Sequence, residues 1–393
     1  MNYVFISPAY PISCTYFCVR LNDAGVNVLG IGDVPYAELN DQLKGALTEY
    51  YYIDSLEDYD QIYRAAAFFI HKYGRIDWLE SLNEYWLPVD ARLRKDFNIA
   101  IGNREDEIDD FIKKSSMKRI FIEAGIPTAR QHIVSDLASG KAFAAQVGYP
   151  VIVKPDIGVG ANGARKLNSE EELIAFYNDL PQVPYVMEEF LSGDICTYDA
   201  VIDSHCEPLF ESMCSYPSVL DTVQNDEDIH FYTAAEVPEK LRELGRKTVK
   251  AFGADRRFVH FEFINITKDY PGIGKAGDYA LMEVNMRPAG GHDPDMMNYA
   301  QSVDVFRIYA EMVTADRRLT PVSGEHYLCA YAARKDDHIY THSHEEIMEM
   351  YGNEIVLHEE MPPIDWPSMG RYVYIARFKN KSDMDNYFSF VLD

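Results

Sequence analysis

Glu283, Asn285 and Arg287 stand at alternate positions in the run L-M-E-V-N-M-R, 281–287. On an extended strand, alternate residues share one face. Val284 and Met286 then point the other way, into a core. The shared face carries a carboxylate, an amide oxygen and a guanidinium. Those oxygens suit a hard divalent cation such as Mg²⁺, usually held by one or two carboxylates together with phosphate oxygens. The guanidinium offers a planar fork matched to phosphate or carboxylate. A second carboxylate, Glu262, sits in an earlier strand-like run, F-V-H-F-E-F, 258–263. Pairing of the two strands would set Glu262 beside Glu283. A solvated strand face with ordinary salt bridges fits the same three residues, so the rest of the sequence has to decide.

The elements that would position this face can be read in chain order. Strand-like residues 3–6, a helix over about 14–24 and a strand over 26–31 form a β-α-β opening, which requires a right-handed crossover between parallel strands. A helix near 57–73 and a strand over 77–81 continue the pattern. Glu84 follows that strand, where ligands bind in open α/β sheets. It either contacts a substrate amine or caps a helix. A helix from about Lys114 stops at Gly125 with Pro127 beyond it. After an apolar helix near 137–147, the short strand Val151–Val153 ends in Lys154, and a glycine-rich stretch runs from Asp156 to Ala164. Its glycines, Gly160 and Gly163 among them, allow backbone N–H groups to approach phosphate oxygens. It is not a P-loop, because the lysine precedes the glycines.

Beyond 185 the sequence reads as antiparallel strands with helices near 238–252 and 299–314. A long polar connection occupies 217–233, and loops of that length often act as lids. Residues 326–393 read as a small lobe of strands and two helices, the first capped by Ser343 and Glu346. His338, His342 and His344 lie in its loop and cap with no carboxylate at matching helical spacing, and read as surface histidines.

Composition narrows the function classes. The protein has 393 residues, with 63 acidic against 37 basic side chains and a formal charge of −26. That balance opposes nucleic-acid and anionic-membrane binding. An anionic nucleotide would need a local positive island. No apolar run reaches the roughly 18 residues of a membrane span, and the N-terminus lacks a basic, cleavable leader. The six cysteines show no metal-like spacing, and Cys14 and Cys18 read as buried helix thiols. A reducing cytoplasm is the expected home.

Taken in order, these motifs resemble the ATP-grasp superfamily, in its carboxylate–amine ligase branch, over about 3–320. The resemblance implies an α/β and α+β protein: a doubly wound parallel domain over 1–105, an ATP-grasp domain with a small subdomain over 106–187 and a large one with the metal site over 188–320. A small α+β lobe occupies 321–393. It implies ATP and Mg²⁺, or Mn²⁺ in its place. Lys114, eleven residues before the G-I-P stop, would contact ATP phosphate, with Lys118 as the alternative one turn on. Lys154, in V-I-V-K-P, would be the second ATP lysine. Glu188, Glu189, Phe190 and Leu191 would hold adenine, and Asp194 the ribose hydroxyls. Glu262, Glu283 and Asn285 carry over as metal ligands, and Arg287 as the phosphate- or substrate-binding arginine.

The stretch R-P-A-G-G-H, 287–292, is similar to the R-x-x-G-G stretch of amino-acid ligases. Gly290 and Gly291 would approach a substrate carboxylate. His292 is then either a substrate contact or a polar loop residue. The implied reaction joins a carboxylate to an amine through an acylphosphate, with ATP converted to ADP and phosphate. Arg287 and Lys154 would stabilise developing charge. A bicarbonate-activating carboxylase and a nucleotide-binding regulator without turnover are the alternatives; the E-x-N-x-R spacing is similar to biotin carboxylase, but that family's Q-V-E-H continuation is absent. The family analogy also implies a homodimer.

Overall fold

The computed structural model describes residues 1–158, 163–217, 228–363 and 365–393. Its strands form three sheets. The first is wholly parallel, ordered 49–52, 27–32, 2–6, 78–80. Its central strand, Asn2–Ile6, is buried on both faces. Tyr3 and Phe5 share a core with Cys14, Phe17, Cys18 and Leu21 of helix Ser13–Asp23. Val4 and Ile6 pack with Ile62, Ala65, Ala66 and Phe69 of helix Tyr59–Tyr73. The sheet is thus doubly wound, as expected. The strand Glu49–Tyr52 and the helices Asp41–Ala46 and Leu87–Asp96 are additional to the sequence expectation. The run E-Y-Y-Y has no polar–apolar alternation to mark a strand.

The second sheet is antiparallel, ordered 131–133, 185–189, 151–155, 165–167. Helices Leu137–Val147 and Glu170–Asn178 supply Phe143, Ala144, Leu173 and Phe176 to its core. Asp136 and Ser169 cap these helices by accepting from Ser139 N–H and Glu172 N–H.

The third sheet has nine strands. Its path runs 279–285, 257–266, 193–202, 214–216, 229–233, 328–334, 372–378, 355–360, and strand 208–212 pairs with 193–202 beside that path. The described residues of 321–393 therefore build no sheet of their own. Leu328–Arg334 pairs with Ile229–Thr233 and extends the large sheet. Such pairing joins residues about a hundred positions apart and leaves no local mark in the sequence. Strands Pro208–Ser212 and Cys214–Tyr216 are separated at Met213. The expected 299–314 helix is two helices, Asp293–Gln301 and Val305–Ala315. Ser302 between them has φ of 53°, and Asp304 caps the second by accepting from Arg307 N–H. Of the 217–233 connection, 218–227 lie outside the described residues, and 229–233 form a strand.

Helix Glu239–Phe252 lies so close to the large sheet that a Cβ at Gly245 would sit 2.3 Å from the Tyr198 ring. Tyr198 is fully buried, with its hydroxyl donating to Glu211 at 2.8 Å. Overpacking of this kind typically costs about 1–3 kcal/mol. Gly245→Ala is therefore expected to lower thermal stability despite alanine's better helix propensity, and a Tm equal to the parent's would contradict the close approach.

Candidate active site

A cavity of about 420 Å³ opens between the small antiparallel sheet and the end of the large one. Glu262 and Glu283 face each other across paired strands. The register slips between Glu262 and Phe263, so that Glu262 opposes Glu283 while Phe263 opposes Leu281, and Met282 is the extra residue. A bulge re-aims neighbouring side chains, and Leu281, Met282 and Glu283 all line the cavity. The bulged strand is tied to the loop after helix Lys114–Glu123: Leu281 N–H donates to Pro127 O at 2.7 Å, and Thr128 Oγ1 donates to Leu281 O at 2.8 Å.

Four cationic side chains line the cavity, each paired with an acid. Lys114 Nζ lies 3.0 Å from Glu283 Oε1. Lys118 and Lys154 share Glu188, at 2.9 Å and 2.8 Å. Arg287 Nη2 lies 2.7 Å from Glu84 Oε2. The remaining lining acids are Glu262, which faces His260, and Glu189, which is bound by Arg130 through two hydrogen bonds of 2.8 Å. Both Lys114 and Lys118 reach the site. Lys118 is held further by Thr128 Oγ1 at 2.6 Å and Ala129 O at 3.0 Å, and Lys114 by Gly158 O at 3.1 Å.

Burial sets the direction of the acids. It raises Glu188, but Lys118 and Lys154 outweigh it and hold the carboxyl at about 2. Glu283 is raised, by burial first, with Glu262 and Glu84 adding to the effect against Lys114 and Lys154. Burial also raises Glu262, yet His260 brings it below the usual range. His260 is lowered by burial, but Asp199 Oδ1 at 2.7 Å from Nδ1 carries it up to about 10. Like charges facing each other at Glu262 and Glu283 are stabilised by a cation between or beside them.

Glu84 begins a short 3₁₀ turn, and Asn83 supplies its cap by accepting from Tyr85 N–H. Glu84 is thus free of capping and turns into the cavity. With its amide turned so that the nitrogen can donate, Asn285 reaches Glu84 Oε2 at 3.0 Å. Ile152, Glu188 to Gly193, Ile195, Ile264 and Leu281 also line the cavity. Lys166 lies over the Phe190 ring at 4.4 Å. Ile195 and Ile264 are directly opposed in register, a lining pair that strand alternation marks only once the pairing is known.

The remaining expected site residues that the structure describes lie apart from the lining. Asp194 is exposed, between Gly193 and Ile195, whose side of the strand faces the cavity. Gly160 falls outside the described residues. Gly163 has φ of +76°, and its carbonyl accepts from Tyr185 Oη at 3.2 Å, next to the lining Ala164. Gly290 is exposed. Gly291, with φ of +54°, has the Met369 side chain 2.7 Å from where a Cβ would stand. His292 is buried against the C-terminal strands, with Nε2 2.8 Å from Glu359. His338 and His342 are half-buried, paired with Asp228 and Glu346.

Beside His292, Asp293 is buried. Tyr216 Oη donates to Asp293 Oδ2, while Oδ1 has no hydrogen-bond partner among the described residues. Burial raises its pKa to about 7, well above the unfolded value. The neutral acid is thus the form the fold favours. Its stabilisation is full below about pH 4, the unfolded pKa, and declines as pH rises to about 7. Asp293→Asn keeps the acceptor for Tyr216 and removes the titration. The Tm advantage of this variant over the parent is expected to grow across that window and stay flat above it. Parallel Tm curves from pH 4 to 8 would contradict the raised carboxyl.

The comparisons with known proteins fit this architecture. The family described as carbamoyl-phosphate synthase L chain, ATP binding domain, matches residues 113–183, which include Lys114, Lys118 and Lys154. The C-terminal section of the carbamoyl phosphate synthase large subunit from Methanopyrus kandleri is 23% identical over 162 residues, 39% of this protein and 29% of that one. The carbamoyl phosphate synthase large subunit from Clostridium botulinum is 36% identical over 73 residues, 19% of this protein and 7% of that one. The matched stretches thus span less than a third of these curated relatives. Among solved structures, an L-amino acid ligase from Bacillus licheniformis superposes with a TM-score of 0.72 at 14% identity, covering 99% of this protein and 96% of that one. N5-carboxyaminoimidazole synthetase from Staphylococcus aureus gives 0.70 at 14% identity, covering 99% and 97%. Biotin carboxylase from Campylobacter jejuni, in a nucleotide complex, gives 0.67 at 15% identity, covering 99% and 91%. The protein has the ATP-grasp fold over its whole length. Within that class its neighbours are ligases and carboxylases, and the particular reaction has to be argued from the cavity.

Proposed function

We propose that this protein is an ATP-dependent carboxylate–amine ligase that forms an amide or peptide bond. The observation that carries the reading is one cavity lined by Lys114, Lys118, Lys154 and Arg287, by the oxygens of Glu262, Glu283 and Asn285, and by the apolar side chains of Ile152, Leu191, Ile195 and Ile264. The lining cations are already offset by lining acids, so a bare triphosphate would be poorly accommodated; a nucleotide arriving with a divalent cation keeps the balance. Among the described residues no three of His, Cys, Asp or Glu gather as a protein-only metal site. Two carboxylates and one amide suit Mg²⁺, whose remaining ligands are phosphate oxygens and water. Bound there, the ion would neutralise charge on the transferring phosphoryl group.

In the proposed reaction a substrate carboxylate oxygen attacks the γ-phosphorus and ADP leaves. The amine nitrogen then attacks the acyl carbon, phosphate leaves, and the amine loses its proton. Lys114 and Lys154 would exchange their carboxylate partners for phosphate oxygens; Lys118 would hold Glu188 as Lys154 moves. Glu188 to Leu191 would bind adenine, Asp194 the ribose, and Gly160 and Gly163 the phosphates. Arg287 would orient the carboxylate or acylphosphate, Glu84 the ammonium, and Gly290, Gly291 and His292 the outer part of the substrate. We place the domain boundaries near 105, 187 and 320, and the protein as a cytoplasmic homodimer with small-molecule partners. Among the described residues no helix is long and apolar enough to cross a membrane.

Incubation with ATP, Mg²⁺ and pooled amino acids or other carboxylates tests the reading. ADP and phosphate are expected as products. AMP and pyrophosphate would overturn the acylphosphate. Bicarbonate-dependent ADP release without an amine would favour a carboxylase, since biotin carboxylase shares the fold. Nucleotide binding without turnover on any substrate pool would favour a regulator.

A further inference from the structure

Of the two facing carboxylates, Glu262 differs from Glu283 in how it is held. Glu84, Glu188 and Glu283 are each paired with a lining lysine or arginine. Glu262 makes no such pair among the described residues. Its ion-pair partner is His260, two positions back on the same strand face, with Nε2 3.6 Å from Oε1. His260 is not a lining residue and is buried. It is anchored from behind. Nδ1 lies 2.7 Å from Oδ1 of Asp199, its direct partner across the strand pair 193–202 and 257–266. Asp199 is fully buried, and its second oxygen accepts from Thr197 Oγ1. Thr197 Oγ1 in turn accepts from Cys214 N–H at 3.0 Å on the next strand. Three strands thus converge on one imidazole.

We propose that His260, clamped by Asp199, is a positioning residue that holds Glu262 in its metal-binding orientation. This rests on the metal-site reading above. The physical need is specific to Glu262. A nucleotide's phosphates compete for Lys114 and Lys154, and an arriving substrate competes for Arg287. His260 is out of their reach, so its hold on Glu262 persists through the cycle. Partners outside the coordination sphere orient ligating groups, and their removal typically weakens metal affinity 10–100-fold.

The two ring nitrogens can be separated by substitution. In His260→Asn the amide stands near the Nδ1 position, so the Asp199 contact survives and the Glu262 contact is lost. In His260→Gln the amide reaches the Nε2 position. The readout is Mn²⁺ affinity in the presence of ADP, measured by electron paramagnetic resonance on the full-length protein. ADP affinity with chelator present is measured separately, with Glu262→Gln as reference. The expected result is weaker Mn²⁺ binding in His260→Asn, by roughly 10–100-fold, with metal-free ADP affinity unchanged and substantial recovery in His260→Gln.

Unchanged Mn²⁺ affinity in His260→Asn, with loss in Glu262→Gln, overturns the role of His260 and leaves the metal site standing. Unchanged affinity in Glu262→Gln overturns the metal site itself, and the proposal with it. Equal loss of Mn²⁺ and metal-free ADP binding in both His260 variants, with a lowered Tm, also overturns the proposal and makes His260 a purely structural residue.

Discussion

Glu283→Gln is expected to abolish Mg²⁺-dependent ATP turnover, by at least about 10²-fold, the scale on which single groups stabilising transition-state charge register. The substitution is isosteric and leaves the strand Tyr279–Asn285 and its bulge in place. It removes one of two opposed carboxylates, and with it half of the negative charge that would hold the cation. Lys114 loses its 3.0 Å partner but keeps the Gly158 carbonyl at 3.1 Å. Burial and the nearby Glu262 and Glu84 already disfavour the Glu283 charge, so its removal relieves repulsion as it breaks the pair. Folding is therefore expected to survive, with a Tm close to the parent's. Coupled measurement of ADP release across Mg²⁺ concentrations checks the effect. Full turnover in this variant would show that the oxygens of the bulged strand do not hold the cation.

Local patterning made the cavity-facing strand Tyr279–Asn285 readable, and long-range pairing hid the rest. Alternation at Glu283, Asn285 and Arg287, a property of a few neighbouring residues, placed three cavity groups on one face. Lys114 was marked only by the resemblance to ATP-grasp ligases, through its distance from the G-I-P stop. The bulge at Met282 is invisible without the partner strand, because the extra residue is defined only against Phe263 and Glu262. Arg130 is an ordinary charged residue in sequence, and becomes the clamp on Glu189 because strands 131–133 and 185–189 pair. Lys118, read as an alternative to Lys114, takes a place of its own, since one helical turn sets both on the same face. His260 and Glu262 form an H-x-E pair whose shared face could have been noticed, but Asp199 is supplied from another strand. His292 follows the glycines directly, yet the backbone at Gly291, with φ of +54°, turns away toward Glu359.

The second large effect is expected at Arg287, and it separates charge from shape. Arg287 Nη2 donates to Glu84 at 2.7 Å and Nη1 to the Pro288 carbonyl at 3.0 Å. The guanidinium is thus fixed in its plane before substrate arrives, and a carboxylate or acylphosphate meets a preoriented fork. Arg287→Lys preserves one positive charge but offers a point donor on a flexible stem. If charge alone mattered, this variant would keep most of its activity. If the fork matters, kcat for the proposed amide formation is expected to fall about 10²–10³-fold, while nucleotide affinity, assigned in the proposal to the lysines, stays at the parent's value. Glu84 sharpens the distinction. Without the guanidinium, it can capture the lysine ammonium and draw it from the reacting atoms, so Glu84→Gln added to Arg287→Lys is expected to recover part of the loss when charge, not geometry, is limiting. Single-turnover measurement of acyl transfer, alongside equilibrium nucleotide binding, separates the two cases. A restored double variant assigns Arg287 to charge, and one as slow as Arg287→Lys assigns it to geometry when Glu84→Gln alone, which tests the proposed contact to the substrate ammonium, stays near the parent's rate.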